Sequence, residues 1–228
     1  MAKIIGIPGW KVGDNSFGVT TPYLEFFSQY GVVKILTPEE EVNKDIDLLV
    51  LPGGADIDTN RYSSIPSLKT GRPDPIKEYF DINILPKYIE NKIPVFGICR
   101  GMQSIAVMFG AKLVQHIINH ETNDEDRSSR VHGLAFMNDG FKKELFRCYE
   151  LPSQTSFKVN SLHHQCILSS SLPEHLNILA VSKGKFSMSC VEVIMHSELP
   201  IAGVQYHPEE LMNDIISEYL INLLISKK

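Results

Sequence analysis

A three-layer α/β fold, with a mostly parallel central sheet, helices on both faces and a smaller antiparallel strand element, is predicted by three observations. Short apolar runs alternate with segments of helical periodicity through the first half, the second half shifts to closely spaced strands, and the chain closes on an amphipathic segment. Lys3–Ile7 reads as the first strand, and 23–30 as a helix. Val32–Leu36 and Leu48–Leu51 follow as buried strands, 76–90 as a single helix, and Val95–Ile98 as the next strand, leading into a helix over 102–109. Between them, 55–75 is rich in proline, serine and charge and reads as a long loop, as does the polar stretch 119–130; loops of that length are commonly functional. The later strands are expected around 157–159, 166–168, 176–181, 191–195 and 201–205, and the closing helix over 211–225.

At 228 residues and 43% hydrophobic content, the chain suits one domain spanning 1–228 with a sizeable core. Its net charge of −5 is mild and the basic residues are scattered, which argues against nucleic acid as a partner. The start is too short in apolar residues for a secretion signal, and no apolar run approaches the ~20 residues that cross a bilayer. A soluble, cytoplasmic protein is expected, and its four cysteines, Cys99, Cys148, Cys166 and Cys190, are expected to be reduced. Cys166 and Cys190 lie in apolar, strand-like stretches and read as core residues. With no CxxC pair and no HExxH, no metal site is expected.

The most informative segment is Gly97-Ile98-Cys99-Arg100-Gly101-Met102-Gln103, where a buried strand turns abruptly into a helix with a cysteine at the turn. Unpaired N–H groups and the positive dipole end of a helix N-terminus favour a thiolate and can bind a developing oxyanion. Cys99 is therefore the candidate nucleophile, in the manner of a hydrolase nucleophile elbow. A base with an orienting carboxylate is offered by Tyr206-His207-Pro208-Glu209 at the end of a predicted strand, with Glu210 a competitor for the orienting role. Leu51-Pro52-Gly53-Gly54 ends another buried strand in paired glycines, whose backbone can approach a substrate closely. The N–H groups of Gly54 and Arg100 form the expected oxyanion hole.

Pro52-Gly53-Gly54, Gly97-x-Cys99-x-Gly101-x-Gln103 and His207-Pro208-Glu209, in that order, resemble the class I glutamine amidotransferase superfamily, over nearly the full chain. Gly53-Gly54-Ala55-Asp56-Ile57 followed by Tyr62, the arginine after the cysteine, and Val159-Asn160-Ser161-Leu162-His163-His164-Gln165 resemble its C26 peptidase branch, the γ-glutamyl hydrolases and the γ-glutamyl-γ-aminobutyrate hydrolase type. The resemblance implies the flavodoxin-like fold of that superfamily. It implies a triad of Cys99, His207 and Glu209, with Gly53, Gln103, Asn160, Ser161 and His163 at the substrate. It also implies hydrolysis of a small γ-glutamyl amide through a thioester, without metal or organic cofactor. The alternative is a glutaminase that supplies ammonia to a synthetase partner; a homodimer is the default assembly. Where the branch commonly has an arginine–aspartate pair and then a glutamate, this chain has Lys77-Glu78 and Asp81, and lysine lacks arginine's planar fork. Trp10, the only tryptophan, follows the first strand and is placed either over the cleft or in the packing beneath it.

Overall fold

The computed structural model describes residues 2–13, 15–38, 40–118, 126–183 and 189–227, the side chain of Lys183 excepted. Its strands are β1 (Ile4–Pro8), β2 (Trp10–Gly13), β3 (Ser16–Gly18), β4 (Val32–Leu36), β5 (Leu48–Leu51), β6 (Val95–Ile98), β7 (Leu113–Val114), β8 (His132–Phe136), β9 (Lys158–Val159), β10 (Cys166–Ile167), β11 (Leu176–Lys183), β12 (Val191–His196) and β13 (Ile201–Val204). The helices are α1 (Thr21–Ser28), α2 (Pro75–Asn83), α3 (Leu85–Glu90), α4 (Arg100–Met108), α5 (Asp139–Cys148) and α6 (Ile215–Ser226).

Among the described residues the main sheet has nine strands in the order β4-β1-β5-β6-β13-β12-β11-β8-β9. The run from β4 to β13 is parallel and the rest antiparallel, so the fold is the predicted mixed α/β arrangement. The antiparallel strands extend the main sheet instead of standing apart from it, while β2–β3 and β7–β10 form two small antiparallel pairs. Side-chain alternation divides the core into two layers. Leu48 and Val50 of β5 pack with Phe27 of α1 and Leu220 of α6, whereas Leu49 and Leu51 pack with Phe80 of α2, Tyr88 of α3 and Ile105 of α4.

The segment expected as one helix over 76–90 is two. Pro86 has no N–H to donate and its ring crowds the carbonyl four residues back, so the first helix ends at Asn83 and a second begins at Leu85. The Asp74 carboxylate caps α2 by accepting from the N–H groups of Ile76 (2.8 Å) and Lys77 (3.1 Å), which fixes the rise of the side chains that follow. The closing helix starts later than expected, at Ile215 with Asp214 as its cap, because Asn213 takes a left-handed conformation (φ 57°) that no α-helix can run through. Of the predicted 119–130 loop, 119–125 lie outside the described residues. The 55–75 loop carries a 3₁₀ turn, Thr59–Tyr62, and folds back so that Gly71 N–H donates to Asp56. No helix among the described residues is long and apolar enough to cross a membrane.

Candidate active site

Three adjacent parallel strands deliver the three motifs to one edge of the sheet. β6 lies between β5 and β13, with Leu51 opposite Gly97 and Val204 opposite Ile98. The chain beyond each strand therefore leaves at the same level, in the crevice outside the carboxyl ends of the strands. Gly53 and Gly54 follow β5, Cys99 follows β6, and His207 follows β13.

Cys99 has φ 51° and ψ −108°, a conformation that L-residues with side chains rarely adopt and that persists only when its surroundings impose it. Its own N–H is held by the carbonyl of Val204 at 2.8 Å, and its carbonyl accepts from Gln103 N–H in the first turn of α4. Cys99 and the His207 imidazole stand beyond the ends of neighbouring strands, near enough for their charges to act on each other. Nδ1–H of that ring donates to Glu209 Oε1 at 2.6 Å, while Glu210 turns away to Arg127 (2.6 Å), so of the two candidate carboxylates only Glu209 meets the ring. Burial opposes protonation of His207, but the Glu209 carboxylate and the Cys99 sulfur outweigh it and raise the imidazole to about 10. A group raised on folding stabilises the fold fully below its ordinary value of 6.5, and that contribution is lost as pH climbs through about 10. The destabilisation caused by His207→Gln, read by urea denaturation against the parent, should be largest near pH 6 and shrink steadily toward pH 10. A constant difference across that range would contradict the ion-pair arrangement.

Asn160 sits behind the imidazole. Its Oδ1 accepts from His207 N–H (2.9 Å) and its Nδ2 donates to His207 O (3.0 Å), so its side chain engages the histidine backbone and not the cavity. Ser161 beside it is fully buried. Gly54, Cys99, Arg100, Gln103, His163 and Gln165 line a cavity of about 50 Å³, with Asp56 and His164 also in its wall. Gln103 Nε2 donates to Gln165 O (3.2 Å) and Gln205 Oε1 (3.1 Å), which ties α4 to the segment carrying His163. Asp56 Oδ1 meets His164 Nε2 at 3.2 Å, so this carboxylate from the long loop becomes part of the wall.

The charged cluster beneath the site differs from the expectation drawn from Lys77. Arg100 makes a forked contact, Nη1 to Asp81 (2.7 Å) and Nη2 to Glu78 (2.6 Å), and Arg61 joins the same carboxylates and Ser104. Burial works against the Arg100 charge, but Asp81 and Glu78 more than offset it and raise the guanidinium above its ordinary value. Lys77 instead donates to the carbonyl of Gly53 (2.8 Å), with its Nζ 3.9 Å from the centre of the Trp10 ring. Trp10 in turn stacks edge-on against Tyr23, at 5.7 Å between centroids, so it is a packing residue of this corner.

Tyr23 and the pair His132–Glu192 are site neighbours that motif reading missed. The Tyr23 hydroxyl accepts from Gly53 N–H (2.8 Å); burial, and then the nearby charge of Glu209, push the phenol well above its usual range. His132, His163 and Glu192 bring ligand-type atoms within 4.8 Å of one another. Burial raises the Glu192 carboxyl and lowers His132, so at 3.4 Å the pair is favoured as a neutral acid beside a neutral imidazole. All four cysteines are free, Cys166 and Cys190 buried and Cys148 exposed.

The family model for peptidase C26 matches residues 11–209. The glutamine amidotransferase-like protein YvdE of Lactococcus lactis subsp. lactis is 28% identical over 202 residues, 82% of this chain and 78% of that protein. The aminodeoxychorismate/anthranilate synthase component 2 of Bacillus subtilis is 30% identical over 141 residues, 60% of this chain and 61% of that one. Among solved structures, PurLQS from Thermotoga maritima shares the fold with a TM-score of 0.64 at 11% identity, covering 98% of this chain and 100% of that one. A glutamine amidotransferase from the same organism does so with a TM-score of 0.57 at 16% identity, covering 99% and 85%.

Proposed function

The chain belongs to the peptidase C26 family, and on that premise we propose that it is a cysteine-dependent hydrolase cleaving the γ-glutamyl amide bond of a small γ-glutamyl compound. The observation that carries this reading is the placement of Cys99 and of the hydrogen-bonded pair His207–Glu209 at the carboxyl ends of two neighbouring strands. Cys99 Sγ attacks the δ-carbonyl carbon, and the C=O electron pair moves onto oxygen. Arg100 N–H, in the first turn of α4 where backbone donors lack intrahelical acceptors, and Gly54 N–H receive that oxyanion. The C–N bond then breaks, His207 gives its proton to the departing amine, and a γ-glutamyl thioester remains. Water then attacks the thioester carbon as His207 takes one of its protons, so a C–O bond forms; the C–S bond breaks, releasing glutamate and regenerating the sulfur. Glu209 holds the ring so that Nε2 faces the sulfur, and Asn160 fixes the backbone on which that ring is mounted. Gln103 and His163 serve as walls for the glutamyl moiety.

The second reading, a glutaminase that passes ammonia to a synthetase, draws support from the relative that is a synthase component. Turnover of L-glutamine against a panel of γ-glutamyl amines, with intact mass spectrometry to catch a thioester on Cys99, separates the two. Faster release of glutamate from substituted γ-glutamyl amines is the expected result. Preference for free glutamine transfers the chain to the second reading, and no turnover of either overturns both.

A further inference from the structure

We propose that Lys77 is a positioning residue of this site: its side chain holds the Gly53–Gly54 peptide in the orientation that turns Gly54 N–H toward the carbonyl oxygen under attack. The inference rests on the proposed roles of Cys99 and Gly54 and adds the device that aligns them.

The carbonyl of Gly53 and the N–H of Gly54 belong to one planar peptide unit and point in opposite directions when it is trans. Lys77 Nζ donates to that carbonyl at 2.8 Å in a buried contact, so the N–H is directed to the opposite side. A diglycine needs such a hold, because it has no side chain to limit rotation, and Gly54 sits at φ +154°, a conformation that side chains disfavour. Its two neighbours also leave no room for side chains. A Cβ on Gly53 would lie 2.7 Å from His207 Cε1, and one on Gly54 2.7 Å from Lys77 Cε. The loop therefore runs between the imidazole and the lysine stem, pinned by Tyr23 at the Gly53 N–H and by Lys77 at the Gly53 carbonyl.

The surroundings commit the ammonium to this contact. Glu78 and Asp81, the acidic side chains of its own helix, are engaged by Arg61 and Arg100, and the Trp10 ring lies under Nζ. Placing an amine here opposes its charge: burial first, and then Arg100, draw Lys77 down to about 7. A methionine would fill the same space without that desolvation cost, so packing alone does not account for a lysine. Where the amine is protonated, its charge on the carbonyl also polarises the peptide and strengthens its N–H as a donor on the far side.

The test compares Lys77→Met and Lys77→Arg with the parent on its best γ-glutamyl amide. Alkylation of Cys99 by iodoacetamide, followed by peptide mass spectrometry, serves as a second readout, since that displacement passes through no oxyanion. Losing an oxyanion donor outright costs ~10²–10³ in kcat, so a misaligned donor in Lys77→Met should cost ~10–100-fold, with KM changed by less than ~3-fold. Alkylation should keep the parent rate within ~3-fold, and Lys77→Arg should recover at least ~10-fold over Lys77→Met, because a guanidinium can donate to the same carbonyl. Unchanged kcat in Lys77→Met, alkylation that falls in step with turnover, or no recovery in Lys77→Arg would each overturn the proposal while leaving the parent's chemistry intact. A parent that cleaves no γ-glutamyl amide or glutamine overturns the site assignment and this inference together.

Discussion

Cys99→Ala is expected to lose all measurable release of glutamate from γ-glutamyl amides, a drop of ~10⁴–10⁶-fold in kcat, with little change in stability. That range corresponds to ~5–8 kcal/mol of transition-state stabilisation at 1.36 kcal/mol per tenfold. The sulfur is the group that bonds to carbon, and the oxyanion donors and His207 have no covalent path to offer in its place. Stability should change by only about 1 kcal/mol, because the substitution removes a single atom from a buried residue that also lines a cavity and leaves its neighbours in place. The strained backbone at φ 51° is imposed by β6, α4 and the Val204 carbonyl, so alanine inherits it at similar cost. A coupled glutamate assay and the thermal midpoint, measured on the same preparation, check both halves. Retention of more than a tenth of the parent activity would remove Cys99 from the mechanism.

The elements legible in the sequence are those whose limits are set locally. Leu48–Leu51 and Val95–Ile98 have the predicted bounds because each is an uninterrupted apolar run with a proline at one end, Pro52 after the first and Pro94 before the second. β8 and α5 escaped notice for opposite reasons. In β8, His132 faces the buried carboxyl of Glu192, so its inward side does not look apolar. In α5, only Phe141 and Leu145 are buried, a stripe too sparse to show as periodicity, although Asn138 caps its start. The β2–β3 hairpin was likewise unmarked, its pairing resting on Trp10 with Gly18 and Lys11 with Phe17.

The site divides in the same way. Cys99, His207 and Glu209 stand in short motifs whose glycines and proline shape the turns that present them, and so they are visible from residue order alone. Tyr23 reaches Gly53 across 30 positions of sequence, and no local pattern marks it. Arg61 enters the carboxylate cluster from a 3₁₀ turn inside a loop, which takes over the partner role that the position of Lys77 suggested and leaves the lysine for the diglycine. Asn160 shows how a residue can belong to a site motif and yet act through backbone contacts, a distinction that only tertiary geometry draws.

The largest stability effect is expected at Gly101, in the first turn of α4. Intrinsic propensity favours alanine over glycine inside a helix by ~1 kcal/mol, so on local grounds Gly101→Ala would stabilise. Tertiary contact reverses the sign. A Cβ at this position would overlap the Leu51 carbonyl oxygen and lie 2.7 Å from its carbon and 2.8 Å from Leu51 Cβ. Leu51 is a fully packed residue in the middle of the sheet, paired to Gly97, so its backbone has nowhere to move, and the helix must lift instead. Overpacking of this kind costs ~1–3 kcal/mol and more where backbone is struck, so a loss of about 3 kcal/mol is expected after the propensity gain. At ~2–4 °C per kcal/mol for a chain of this size, the thermal midpoint should fall by ~6–12 °C. Lifting α4 also carries Arg100 N–H and Cys99 away from Gly54, so turnover should fall further than the change in folded fraction accounts for. Gly18→Ala is the control: its Cβ meets nothing within 4 Å, and a change within ~0.5 kcal/mol is expected there. Equal midpoints for the two variants would show that close approach of α4 to β5 is not what requires glycine at the foot of the nucleophile turn.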